Sequence, residues 1–147
     1  FGNLHWLVSI KKDAIEFYRS NPTSNLLASK YWYSEGICYT MLTSGKPSFR
    51  LFPPTGGFDM AGPCICNLGQ NKNWALGFLN CSIAADVLSM LNPTLNMQAR
   101  DIKALPMLIS AELQPAINSL VESNVDISKI DWDSFETSWD FKRHPLI

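Results

Sequence analysis

Charge is scarce in this chain of 147 residues, of which only 17% are Asp, Glu, Lys or Arg. Histidine is scarcer still: His5 and His144 stand near opposite ends, so a paired-histidine metal or acid–base site has little to be built from. No stretch reaches the ~18 consecutive apolar residues of a membrane-crossing helix. No basic region followed by a long apolar stretch opens the chain, so it does not read as a secretory signal. A cytoplasmic chain with no membrane partner is expected. The four cysteines, Cys38, Cys64, Cys66 and Cys81, fit neither a zinc ribbon nor a disulfide framework and read as buried free thiols. No phosphate-cradling P-loop occurs. Asp131, Asp133, Glu136 and Asp140 lack the glycine and the spacing of a calcium loop, so no metal is expected.

What is present is an ordinary apolar fraction, 46%, enough for one packed domain of this length. The pattern predicts an α+β fold: mixed short strands with one long helix and one or two shorter ones. Trp6–Ile10 reads as a short strand and Lys11–Arg19 as a helical turn or two, stopped by Asn21-Pro22. Aromatic and β-branched residues over Tyr31–Met41 predict a strand bent at Gly36. Phe49–Phe52 alternates as a second strand, and Phe58–Cys66 reads as a third, interrupted at Gly62-Pro63. Leu76, Leu79, Ile83 and Val87 share one helical face, predicting a single helix of some five turns from Asn71 or Asn73 to Asn92. Ile102–Pro106 looks extended. A further helix is expected from Pro115 to Ser123, and irregular structure pinned by aromatic contacts over 124–147. Phe1 in place of an initiating Met, and the trailing Phe141-Lys-Arg-His-Pro-Leu-Ile147, read as a segment excised from a longer protein.

Charge is unevenly placed. Residues 1–111 hold nine Lys/Arg against six Asp/Glu, and residues 112–140 hold one Lys against seven acids. Between Glu35 and Asp86 the only acid is Asp59. A polyanion could approach that middle and would be repelled by the acidic region after it; a solvated acidic surface without a partner fits the same numbers. Within the acid-poor middle, Ser44-Gly-Lys-Pro-Ser48 followed by Arg50 sets hydroxyls, Lys46 and an arginine on one turn between strands. Ser48, Lys46 and backbone amides suit phosphates, while Arg50 suits a guanine edge. Asn96, Gln98 and Arg100 alternate, so an extended segment would present all three on one face, where carboxamides can pair with adenine and arginine with guanine. A polar surface loop is the alternative for both groups.

Several strings carry a resemblance. They are Tyr33-Ser-Glu-Gly-Ile-Cys-Tyr-Thr40, Ser48-Phe-Arg50, Gly57-Phe-Asp-Met-Ala-Gly62, Trp74-Ala-Leu-Gly-Phe-Leu-Asn-Cys81, Leu91-Asn-Pro-Thr-Leu-Asn-Met-Gln98, Asp101-Ile-Lys-Ala-Leu-Pro106 and Asp131-Trp-Asp-Ser-Phe-Glu-Thr-Ser-Trp-Asp-Phe141. Over about residues 31–147 the chain resembles the adenine-specific DNA methyltransferases of BREX phage-defence systems, and more loosely the type IIG restriction–modification enzymes. The Ile-x-x-Leu-Pro pattern is also similar to type I specificity subunits.

The resemblance implies a target-recognition-domain-like segment over 1–124. It implies an aromatic and acidic lead-in over 125–147 to a C-terminal helical region. The parent would move a methyl group from S-adenosylmethionine to the adenine amino group in double-stranded DNA. This segment would hold no cofactor and no catalytic residue. Such chemistry needs a glycine-bearing cofactor turn and an Asn/Asp-Pro-Pro-aromatic loop around a flipped base. Here no Gly-x-Gly occurs and Pro53-Pro54 follows Phe52. The DNA-binding candidates are Lys46, Ser48, Arg50, Asn96, Gln98 and Arg100; Phe58, Leu91 and Trp139 read as core. Two alternatives stay open: a non-catalytic module that contacts other proteins of the defence system, motivated by Trp132 and Trp139, and a hydrolase using Cys64 or Cys66.

Overall fold

The computed structural model describes residues 2, 4–59 and 61–147. Helix α1 spans Lys12–Ser20, and strands β1 (Gly36–Tyr39), β2 (Phe49–Phe52) and β3 (Cys64–Cys66) follow. Then come helices α2 (Lys72–Leu79), α3 (Ser82–Leu91), α4 (Ala99–Lys103) and α5 (Gln114–Asp133). The strands make one antiparallel sheet in the order β2-β1-β3. The fold is α+β, as the sequence pattern predicts.

Alternation in the strands divides the sheet into two faces. Ile37, Tyr39 and Phe49 point into a core shared with Ala75, Leu76 and Leu79 of α2, Ala84 and Leu88 of α3, Met97, Leu105 and Val121 of α5. Glycine permits close approaches between elements at two positions. A Cβ at Gly36 would lie 2.3 Å from the Ile65 carbonyl oxygen across the β1–β3 pair, and one at Gly77 would lie 2.8 Å from the Val121 Cγ2 where α2 meets α5.

Several local expectations give way in the folded chain. The single long helix over 71–92 is two helices, α2 and α3, bent by 77° at Asn80-Cys81. The Asn80 carboxamide turns aside to β2, accepting from the Phe49 amide (3.1 Å) and donating to the Phe49 carbonyl (3.0 Å). Cys81 then adopts an extended backbone and its thiol accepts from the Ala84 amide, so it starts the next helix. No single described helix is long and apolar enough to cross a membrane; the α2–α3 pair passes on length and composition, with Ala75, Leu76, Leu79, Ala84 and Leu88 in the core and Ile83, Met90 and Leu91 exposed.

The long helix is instead α5, which continues ten residues past Ser123 to Asp133. Ile117, Val121, Val125 and Trp132 keep an inward stripe going through the acidic stretch. Ser128 and Asn124 side chains bond carbonyls one turn back, and Lys129 pairs with Asp133 at i,i+4. Of the expected extended piece Ile102–Pro106, Ile102 and Lys103 end α4 and Ala104 and Leu105 turn away from it, because the Asp101 carboxylate accepts from the Gln98 amide and starts a helix there.

Strand expectations are met where the sheet pairs and shortened elsewhere. Phe49–Phe52 is β2 as read, whereas Trp6–Ile10 forms no strand and is exposed. β3 keeps only the last three residues of the expected Phe58–Cys66: the Asp59 carboxylate accepts from the Ala61 and Gly62 amides and turns the chain, and Pro63 has no amide to donate. Met60 of that expected strand lies outside the described residues. Phe58 is half-buried against Phe52, but Leu91 and Trp139, expected in the core, are exposed, and Trp139 meets the His5 ring edge-on at 5.6 Å.

Candidate nucleic-acid interface

The two polar groups read from the sequence lie 46 or more positions apart, yet the fold joins the segments that carry them. Leu42 and Asn96 form an isolated antiparallel bridge. On either side of it the Thr43 amide donates to the Leu95 carbonyl (3.0 Å) and the Met97 amide to the Met41 carbonyl (2.8 Å). The loop bearing Lys46 and Ser48 begins at this bridge, and the segment bearing Asn96, Gln98 and Arg100 continues from it. All six candidate side chains are exposed.

Arg50 projects from β2 opposite Cys38 of β1, and its Nη2 donates to the Thr40 hydroxyl at 3.1 Å. That bond occupies one of its donors and leaves others of the fork open. Arg50 also stands at the rim of a groove of about 440 Å³ between β2 and α5, lined by Leu76, Asn80, Val121 and Val125 among others. Among the described residues, the Lys46, Ser48 and Asn96 side chains have no hydrogen-bond partner.

The second group is not the extended run that its alternation suggests. Asn96 lies on the bridge, Gln98 is the N-cap of α4 and Arg100 is inside α4. The three therefore leave the backbone from three different local conformations, and a shared face cannot be read from spacing two alone. Arg100 Nε lies 3.6 Å from Asp101 Oδ1, and its guanidinium stays open to solvent.

Asn92 holds this segment, a role that its reading as a helix stop missed. Its carboxamide oxygen accepts from the Thr94 amide (3.0 Å) and hydroxyl (2.6 Å), and its nitrogen donates to the Asn96 carbonyl (2.9 Å) and to Asp101 Oδ2 (2.7 Å). The Asn92 bond, then the Gln98 amide, hold the Asp101 carboxyl below the usual aspartate range; burial works the other way and does not win. One carboxamide and one buried carboxylate thus fix residues 92–101 from behind, with Asn96, Gln98 and Arg100 facing out. The Leu-Asn-Pro-Thr-Leu-Asn string carries the signal: an Asn-Pro turn with an acid nine residues on.

A hydrolase built on Cys64 or Cys66 has no support in the geometry. Burial first, then the neighbouring Cys66 thiol, push the Cys64 thiol up to about 12, so it stays protonated. Among the described residues His5 lies against Trp139 and His144 accepts from the Leu146 amide; neither pairs with a cysteine. No cluster of three His, Cys, Asp or Glu side chains suited to a metal ion occurs among the described residues.

No family model matches the chain. Two curated proteins do. The adenine-specific methyltransferase BrxX of Escherichia coli O9:H4 (strain HS) is 27% identical over 150 residues, covering 100% of this chain and 12% of that protein. The adenine-specific methyltransferase PglX of Lacticaseibacillus casei (strain Zhang) is 27% identical over 154 residues, covering 100% of this chain and 13% of that protein. The likeness therefore extends over residues 1–30, where the sequence strings showed none, and the chain spans about an eighth of the length of the relatives it matches.

Proposed function

We propose, from likeness over the whole chain to a segment of two adenine-specific methyltransferases, that this chain is the DNA-recognition segment of such an enzyme. The observation that supports the reading is the Leu42–Asn96 bridge, which joins the start of the loop carrying Lys46 and Ser48 to the segment carrying Asn96, Gln98 and Arg100. The parent enzyme would supply S-adenosylmethionine and the methyl transfer to adenine from elsewhere in its length, as a defence or restriction–modification activity in the cytoplasm. Lys46 and Ser48 would hold phosphates; Arg50, Asn96, Gln98 and Arg100 would reach base edges. The recognition segment is assigned to 1–124 and the lead-in to 125–147, with α5 running unbroken across the junction.

Fluorescence anisotropy with short DNA duplexes across a salt series tests this. Log affinity should fall linearly with log salt, and Lys46→Ala should reduce the slope by about one phosphate contact. No binding at low salt, by the chain and by the full enzyme carrying it, would refute the reading.

One observation favours a second reading. Leu113 at the N-cap and Leu120 and Ile127 within α5 recur every seven residues, with Ile130 on the same side, and all four are exposed. A seven-residue apolar period suits packing against another helix. A module that contacts a partner protein through this stripe would hold it in high salt, and Leu120→Lys would release it while leaving any DNA binding intact.

A further inference from the structure

Three of the four cysteines meet on one face of the sheet. The β1–β3 register sets Cys38 opposite Cys64 and Gly36 opposite Cys66. Alternation puts Cys38, Cys64 and Cys66 on the face away from Ile37, Tyr39 and Ile65. The Tyr39 amide donates to the Pro63 carbonyl (3.1 Å) and the Met41 amide to the Ala61 carbonyl (3.2 Å). Hydrogen-bonded pairs occur at every second position of an antiparallel ladder, so Cys38 and Cys64 form a non-hydrogen-bonded pair. Such a pair has its Cα atoms ~4.5 Å apart and its side chains close, within the ~4.4–6.8 Å that a disulfide spans. Cys66 follows Cys64 along the same strand at ~6.6–6.8 Å, the far limit of that range. A Cβ at Gly36 would lie 2.6 Å from Cys64 Sγ, so glycine leaves the space in which that thiol sits. All three thiols are half-buried, within reach of a small oxidant.

We propose that Cys38 and Cys64 are a modification site, a dithiol that a peroxide closes into a disulfide across β1 and β3. Peroxide transfers one oxygen to the Cys38 sulfur, giving the sulfenic acid and water. The Cys64 sulfur then attacks the Cys38 sulfur; the S–O bond breaks, the hydroxyl leaves with the Cys64 proton as a second water, and the S–S bond forms. Two thiols give up two protons and two electrons, and one peroxide is reduced to two waters. The first step falls to Cys38 because burial and the neighbouring Cys66 thiol keep Cys64 protonated. On the other side Arg50 of β2 faces Cys38, so the closed bond lies in one row with Arg50 across the sheet. The site stands whether or not that face binds DNA.

The test is titration of the folded chain with hydrogen peroxide, followed by thiol counting in denaturant and non-reducing peptide mapping. The four free thiols should fall by half, leaving Cys66 and Cys81, with the Cys38 and Cys64 peptides linked and the link lost on reduction. Cys66→Ser should retain the link and Cys38→Ser should abolish it. Mapping of the unsubstituted chain decides even if a variant misfolds. A Cys64–Cys66 link, sulfinic acid on Cys38 without a link, or four thiols surviving peroxide that oxidises free cysteine would each overturn the proposal.

Discussion

Asn80→Ala isolates the contact that decides how the sheet meets the helices. The Asn80 carboxamide makes three hydrogen bonds, to the Phe49 amide and carbonyl and to the Leu76 carbonyl, at 3.1, 3.0 and 3.0 Å. Phe49 is buried, so its edge groups would lose partners inside the structure; Asn80 itself is open to solvent, so water replaces part of the loss. Each bond contributes about 1 kcal/mol net under those conditions, and the substitution should cost about 2–3 kcal/mol. Equilibrium urea unfolding measures this; with a slope of ~1–3 kcal/mol/M the midpoint should fall by roughly 1 M or more. Asn80→Asp should cost at least as much, since its carboxylate still accepts from the Phe49 amide but faces two carbonyl oxygens without a proton. A loss below about 0.5 kcal/mol for Asn80→Ala would refute the claim that this carboxamide, rather than general packing, fixes β2. Ser48 and Arg50 flank Phe49, so the folded variant should also bind DNA more weakly if they are contacts.

Three further outcomes are expected. Gly77→Ala gains about 1 kcal/mol of helix propensity but drives a methyl onto Val121, with overpacking at ~1–3 kcal/mol; a net loss should appear in thermal unfolding and Val121→Ala in the same chain should recover most of it. Asp101, whose folded pKa is depressed by Asn92 and Gln98, contributes stability that is full above the unfolded value of about 3.9 and is lost as pH falls through the folded value. Urea midpoints on acidification should therefore fall further in the unsubstituted chain than in Asp101→Asn, and parallel curves would contradict this. In an enzyme containing this segment, Arg50→Ala should lose about 1–3 kcal/mol of discrimination between target and non-target duplexes, measured by competition binding; unchanged discrimination would remove Arg50 from the contact set.

Much of the fold was legible because local signals and packing agree. β2 matches the alternation of Phe49–Phe52 to the residue, and α1 is displaced by one position. The misreadings occur where a side chain bonds across the sequence. No helical periodicity reveals that Asn80 belongs to the Phe49 backbone, so α2 and α3 read as one helix. The acids after Ser123 hid a stripe of Val125 and Trp132 that keeps α5 helical. The six candidate residues could be chosen by chemistry, but the meeting of the segments that carry them rests on the Leu42–Asn96 bridge, and the bonds around Asn92 rest on a partner nine residues away. Neither has a periodic signature.

The arrangement behind residues 92–101 separates two kinds of sequence constraint. Asn92, Thr94 and Asp101 satisfy one another and the backbone, so substitutions there act on the shape of the segment. Asn96 and Arg100 contribute little to that shape through their side chains. Their identities are free to drift, or to be exchanged by an engineer, while the loop keeps its path. If this surface binds DNA as proposed, it can acquire a new preference one outward residue at a time, without first having to be restabilised.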